Sequence, residues 1–307
     1  MADKIRLLPE VVANQIAAGE VVNRPASVVK EMMENAIDAG ARTVKVNFRD
    51  GGKDLIQIVD DGCGMSPIDA RMAFDRHATS KITSVDDIYA LNTFGFRGEA
   101  LAAIASVSHL DIFSRQTDAA SGATLHLDGG KPLSVEPAGC PEGTSIIVRD
   151  LFYNTPARLK FMKQDRAEAT AIAGLAAHIA LSHPDISFRL IKDGREELHT
   201  PGDGKPLSAV YAALGRDFAL ALVEVHGRDG QLAVDGFVTK PLAGRGTRGM
   251  QTFFVNGRFI KSQLLTAAVE EAYANRLMKG KFPGCVLHLS LPLDAVDVNV
   301  HPAKTVV

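Results

Sequence analysis

Residues 30–40 read KEMMENAIDAG, two glutamates, an asparagine and an aspartate set among good helix formers. The helix they belong to is expected over 25–39, with Pro25 suited to a first helical turn and Gly40 to a C-terminal cap. At about 100° per residue, Glu31, Glu34, Asn35 and Asp38 fall within an arc of roughly 100°. Val29, Met32, Met33 and Ala36 cluster on the opposite side and face a core. A solvated acidic face is the ordinary explanation of such a helix. Two details point elsewhere. Asn is a poor helix former, so a mid-helix Asn beside carboxylates suggests a task for its amide oxygen. Amide and carboxylate oxygens are hard ligands suited to Mg2+, which keeps several waters and usually shares its site with substrate phosphates. A glutamate one turn before that Asn is placed to polarise a water beside the metal.

Outward from this helix, two alternating runs at 43–48 and 54–60 flank Gly51–Gly52 and predict a hairpin. The second run ends in VDDGCGM, 59–65, whose GxG is by itself a weak signal. Asp60 there is either a turn-forming residue or an acceptor for an exocyclic amine such as adenine N6. A helix at about 67–76 and a polar loop, RHATSKITSVDD, follow. Next, TFGFRGEALAAIASV, 93–107, brackets a loop between Gly95 and Gly98 and runs into an alanine-rich helix. Such a loop can offer backbone N–H groups to phosphate at a helix N-terminus. It matches neither the Walker pattern nor the dinucleotide fingerprint, and a simple helix cap explains it equally well. Strands are expected at 110–115, 123–127, 144–150, 186–192 and 195–199, and a helix over 162–181. The turn-rich HTPGDGKP, 199–206, divides the chain into domains at 1–200 and 205–307. Beyond it the pattern predicts strands at 218–226, 231–239 and 251–256, a helix at 263–278 and a strand at 285–291. Strand, helix, strand at the end suggests a crossover unit.

Bulk properties narrow the classes. The 307 residues are 46% hydrophobic and 23% charged with a formal net charge of −2, so no global charge advertises nucleic acid or membrane. Cys63, Cys140 and Cys285 form no CxxC pair, which argues against a zinc site or disulfide framework and for a reducing compartment. No run is apolar enough to span a bilayer and no signal peptide is evident, so a cytoplasmic protein is expected. The terminal HPAKTVV lacks a polar tail and reads as a fragment of something longer.

Taken together, NQIAAGEVVNRPASVVKEMMENAIDAG, DDGCGM, RHATSKI, FGFRGEALAAIASVS, LFYNTPARLKF, VNGRFI and DVNVHPAK resemble the N-terminal ATPase region of the MutL family of DNA mismatch repair proteins. The resemblance covers essentially the whole chain with the motifs in order. The Glu/Asn helix, the DxGxG turn and the glycine lid are shared more widely with GHKL ATPases. The fold implied is α+β, a Bergerat-type α/β sandwich with helices on one face of a mixed sheet. A ribosomal-protein-S5-like α/β transducer domain would follow it.

Carried over motif by motif, the resemblance implies ATP and Mg2+ as cofactors and assigns residues. Glu31 would be the general base and Asn35 the Mg2+ ligand, with Glu34 and Asp38 in support. Asp60 would accept from adenine, Gly62 and Gly64 would admit the backbone, and Thr144 would lie near the base. Thr79, Ser80 and Lys81, with Gly95, Phe96, Arg97, Gly98 and Glu99, would form a lid around the triphosphate. Lys304 would reach the γ-phosphate and sense nucleotide state. Partners implied are a second copy of the chain upon ATP binding, DNA bound without sequence preference, a MutS-type mismatch-recognition protein and a downstream nuclease or helicase, with nucleoid association. The segment MADKIRLLPE would reach the partner copy. For DNA, Arg258 is the first candidate, with Arg245 and Arg248 in the flexible GRGTRG able to follow a backbone without reading bases. Arg158, Lys160, Lys163 and Arg166 form another basic cluster, most simply a solvated face. Slow hydrolysis driving dimer closure in mismatch repair is the leading reading. A nucleotide-switched scaffold with incidental hydrolysis is the alternative.

Overall fold

The computed structural model describes residues 18–19, 21–75, 78–79 and 98–292. They divide into two compact units, Met1–Ala176 with Ser187–His199, and Ala177–Ile186 with Thr200–Val307. Among the described residues no helix is long and apolar enough to cross a membrane.

Helix α1, Pro25–Asp38, starts at a proline as expected and buries Val28, Val29, Met32, Met33 and Ala36. Arg24 just before it donates to Glu168 Oε2 through Nε at 3.0 Å and through a terminal nitrogen at 2.8 Å. Glu168 is 2% exposed, so this paired charge fixes where the helix begins. The helix ends in bonds from the Ala39, Gly40 and Ala41 N–H groups to Asn35, Ile37 and Ala36 carbonyls, with Gly40 at φ 75°.

The hairpin β1 (Thr43–Arg49) and β2 (Leu55–Asp60) pairs from Val44↔Asp60 to Arg49↔Leu55. Helices α2 (Pro67–Met72) and α3 (Ala100–Ser106) precede β3 (His109–Arg115), β4 (Gly122–Asp128), β5 (Lys131–Ala138) and β6 (Gly143–Arg149). Helices α4 (Pro156–Phe161) and α5 (Asp165–Ser182) lead to β7 (Ser187–Lys192) and β8 (Arg195–His199). These strands make an eight-stranded sheet in the order β5-β4-β3-β6-β2-β1-β7-β8, antiparallel except where β7 lies parallel to β1. Alternation is clean. Val44, Val46, Phe48, Ile56, Ile58, Leu110, Ile112, Ile146 and Val148 are buried, while Lys45, Asn47, Gln57, Asp111 and Phe113 sit between them half-buried or exposed. The α+β architecture with helices on a mixed sheet is therefore as expected.

Several elements differ from the sequence expectation. Strand β5 was not foreseen, because it is an exposed edge carrying Pro132 and Pro137, which erase the alternating signal. Helix α2 stops at Met72 rather than near 76. Helix α4 is new, and none of its residues is buried, so it has no apolar stripe to reveal it.

In the second unit, α6 (Pro206–Leu214) and α7 (Arg216–Leu220) occupy ground read as loop and as the start of a strand. The strand itself, β9, is Leu222–Asp229, and it is mostly exposed. Strands β10 (Leu232–Thr239), β11 (Gln251–Val255), β12 (Arg258–Ile260) and β13 (Cys285–Ser290) complete a sheet ordered β12-β11-β13-β10-β9. Between β12 and β13, α8 spans Gln263–Ala272, ending at 272 rather than at 278, with Asn275 at φ 62° beyond its end. β11 and β13 run parallel, the crossover the pattern suggested. One sheet face packs Phe237, Phe254 and Val286 on Leu181, Val210 and Phe218, and the other packs Phe253, Ile260 and Leu287 on Leu265 and Val269.

Candidate functional site

Three segments of the first unit meet at one end of the large sheet: α1, the turn after β2 and the start of β6. The Cys63 N–H donates to the Ala39 carbonyl at 3.0 Å, which ties the turn to the end of α1. Asp61 Oδ1 accepts the Arg42 and Thr43 N–H groups at 2.8 Å each, which ties it to β1. Asp60 and Thr144 are cross-strand partners in the β2–β6 register.

Asp60 Oδ1 accepts the Gly62 N–H at 3.0 Å, and the carboxylate also takes a bond from the Thr144 backbone. Burial pushes this carboxyl up to about 6, against the two backbone bonds that favour the charged form and with Asp61 adding repulsion. A half-buried acid with a raised pKa, opposite a threonine on the neighbouring strand, suits an acceptor for a ligand's amine. Gly64 lies at φ 67°, where a Cβ would come within 2.1 Å of the Arg115 carbonyl oxygen. The turn thus runs directly over the end of β3.

On α1 the half-buried Glu31 lies 3.8 Å from Lys30 Nζ, and Lys30 lies 3.4 Å from Glu34 Oε1. Asn35 and Asp38 are half-buried. Glu34 is only 7% exposed, so it is not part of a solvated acidic face. A helical wheel gives a direction but not what stands opposite it, and here protein covers part of the oxygen-rich arc.

Of the residues expected to form a lid, Thr79 is half-buried and Gly98, at φ 62°, lies against the Ala78 carbonyl, so the two motifs touch at their described ends. Glu99 stands at the N-cap of α3. Ser80, Lys81, Gly95, Phe96, Arg97 and Lys304 lie outside the described residues, as does MADKIRLLPE. The motif LFYNTPAR carries no chemical role from its residue types alone. The fold gives it a structural one. The Phe152 N–H donates to the Val107 carbonyl at 2.7 Å, and Asn154 Nδ2 donates to the Ser106 carbonyl at 2.9 Å, so the motif holds the C-terminal end of α3.

The arginines proposed for DNA are not alike. Arg248 makes a two-pronged pair with Glu270, at 2.6 and 3.0 Å, and stacks over Phe282 at 4.0 Å, so it is a brace rather than a flexible tether. Arg245 pairs its backbone with Phe282 and lies 5.6 Å over the Phe218 ring, half-buried. Both sit in a glycine-rich segment whose freedom the aromatic and acidic neighbours remove. Arg258 is half-buried on the edge strand β12.

Comparison with known proteins agrees with this geometry. A family model described as histidine kinase-, DNA gyrase B-, and HSP90-like ATPase matches residues 23–132, and one described as DNA mismatch repair protein, C-terminal domain matches 210–307. DNA mismatch repair protein MutL of Halothermothrix orenii is 48% identical over 301 residues, 98% of this chain and 47% of that protein. That of Desulforudis audaxviator is 48% identical over 301 residues, 98% of this chain and 53% of that protein. The chain spans about half the length of the curated relatives it matches. Among solved structures, the N-terminal domain of a DNA repair protein superposes with a TM-score of 0.81 at 25% identity, covering 96% of this chain and 91% of that one. The Aquifex aeolicus MutL ATPase domain complexed with ADP gives 0.67 at 27% identity, covering 90% and 95%.

Proposed function

The chain belongs to the MutL family of DNA mismatch repair proteins, and on that premise we propose that it binds Mg-ATP at the α1–β2–β6 site and hydrolyses it slowly to ADP and phosphate. The observation that carries this is the Asp60 carboxyl, braced by the Gly62 and Thr144 backbone and set beside the Glu31/Asn35 helix. The ADP complex of the Aquifex aeolicus relative supports the choice of nucleotide.

In this reading Asp60 accepts from adenine N6, and Gly62 and Gly64 let the turn approach the base. Glu31 takes the proton of the attacking water and orients its lone pair at the γ-phosphorus. Asn35 is half-buried, and an amide oxygen is a hard donor that fits Mg2+. Mg2+, when bound, neutralises charge on the phosphate oxygens. Thr79, Gly98 and Glu99 belong to the lid in this proposal. In this proposal residues 1–200, apart from Ala177–Ile186, which group with the second unit, form the nucleotide domain, and 205–307 the transducer. Nucleotide binding would pair two copies through their N-terminal halves, with non-specific DNA, a MutS-type protein and a nuclease or helicase as partners in repair.

The test is Mg-ATP binding and steady-state hydrolysis, with solution mass followed alongside in a non-hydrolysable analogue. Turnover with mass doubling on nucleotide supports the ATP-driven clamp. Tight binding without turnover favours the nucleotide-switched scaffold. Asn35→Ala is expected to lower Mg-ATP affinity about tenfold or more while binding without Mg2+ stays near wild type. Equal affinities with and without the metal in both proteins would remove Asn35 as its ligand.

Acid should act on binding before it acts on the fold. Asp60 is ionised at neutral pH and loses its acceptor role as pH falls through about 6, so its contribution to ATP affinity should drop roughly tenfold per pH unit below that point. The sign for stability is opposite. A carboxyl whose folded value is raised adds stability below its unfolded value, and that contribution is lost as pH rises through the folded one. Calorimetric titrations check this, with Asp60→Asn correcting for the nucleotide's own protonation. An acid limb of the same size in Asp60→Asn would sink the assignment.

A further inference from the structure

Ser114 lies on β3 among inward-facing Leu110 and Ile112, a position the strand alternation reserves for an apolar side chain. It is fully buried, at 0% exposure, so its hydroxyl must be satisfied by the protein. Its partners all belong to the site walls. The Met65 N–H donates to Ser114 Oγ at 2.8 Å, at the end of the turn after β2. Ser114 Oγ lies 3.1 Å from the Gly143 carbonyl oxygen and 3.0 Å from Thr144 Oγ1, at the start of β6. A serine hydroxyl has one proton and two lone pairs. Those three partners use it completely: it accepts from Met65 N–H and from the Thr144 hydroxyl and donates to the Gly143 carbonyl.

We propose that Ser114 is a positioning residue of the adenine site, one hydroxyl that fastens the turn after β2 to the start of β6 and holds Thr144 against Asp60. The inference rests on the adenine-nucleotide reading above. The β2–β6 ladder already sets Asp60 opposite Thr144, but the far end of the turn, at Met65, has no bond to Thr144 among the described residues, and Ser114 supplies that second link. The walls therefore keep their spacing before the base arrives, so less ordering is needed on binding. The Ser114–Thr144 bond braces that cross-strand pair from the neighbouring strand, where the Thr144 backbone favours the charged, accepting form of Asp60.

The test compares Kd for ATP and GTP in the wild-type chain, Ser114→Ala and Ser114→Cys, from about pH 5 to pH 8. The cysteine keeps the buried shape with weak hydrogen bonding, so it serves even where the alanine variant folds poorly. In both variants ATP affinity is expected to fall roughly tenfold, GTP affinity to change little, and the acid midpoint of ATP binding to move upward. The upward shift follows from a loosened Thr144 N–H contact at Asp60, which the ladder alone then holds. A merely structural role would weaken ATP and GTP together and leave the midpoint in place, and that result overturns the inference. So does wild-type preference and midpoint retained in both variants. A wild-type chain that shows no preference for ATP over GTP overturns the adenine reading itself, a failure distinct from the other two.

Discussion

Replacing Glu31 by alanine is expected to leave Mg-ATP affinity within about twofold of wild type while lowering turnover by ~10²–10⁴-fold, the range for losing a positioned general base. Glu31 and Asn35 stand one helical turn apart on α1, ~6 Å along its axis, so the two roles can be separated by mutation. Removing the carboxylate leaves the amide and the base-binding wall at Asp60 in place. Lys30 is the charged neighbour of Glu31, and its 3.8 Å separation marks a loose pair that leaves the carboxylate available to water. Steady-state phosphate release and equilibrium binding, measured on the same preparation, decide the matter. Turnover and affinity lost together would show that Glu31 shapes the site rather than taking a proton. Turnover unchanged would leave hydrolysis without an assigned base.

The second large effect comes from Gly64. Alanine there must place a Cβ 2.1 Å from the Arg115 carbonyl oxygen and 2.5 Å from its carbon, both backbone atoms of a central strand that cannot give way. The φ of 67° adds the left-handed penalty. Destabilisation of about 3–5 kcal/mol is expected, with loss of nucleotide binding as the turn is forced off β3. Gly40 provides the control. It has a similar φ of 75°, but a Cβ there meets nothing within 4 Å. Gly40→Ala should therefore cost only the conformational term, about 1–2 kcal/mol. Thermal and urea unfolding of the two variants measure the difference. Equal costs would mean that the turn can move away from β3, and the rigid base-binding wall would have to be abandoned.

These two glycines also show where sequence and structure divide the account. Both were legible as glycines at turns, and both turned out to need positive φ. Only the structure separates them, because steric cost depends on Arg115, a residue far along the chain from Gly64. The same holds for the arginines of GRGTRG. Their glycine neighbours suggest freedom, yet Arg248 is fastened by Glu270 and Phe282 from elements that sequence spacing does not connect.

The sequence by itself determined the limits of α1, through Pro25 and Gly40, and the β1–β2 hairpin, through strict alternation around Gly51–Gly52. It also determined the family, because NQIAAGEV, GFRGEAL, FYNTPAR and VDVNVHPAK occur in order along one chain. Those signals are local. Periodicity records which side of an element is apolar, and capping residues record where it stops. Tertiary structure decided that Glu34 is buried, that β7 returns to lie parallel to β1, that β5 is an edge and that Ser114 joins two walls of the site. Each of these depends on what is packed opposite a side chain. No window of neighbouring residues carries that information, since pairing across a sheet is set by the whole core finding one arrangement that buries its apolar faces and satisfies its buried hydrogen bonds.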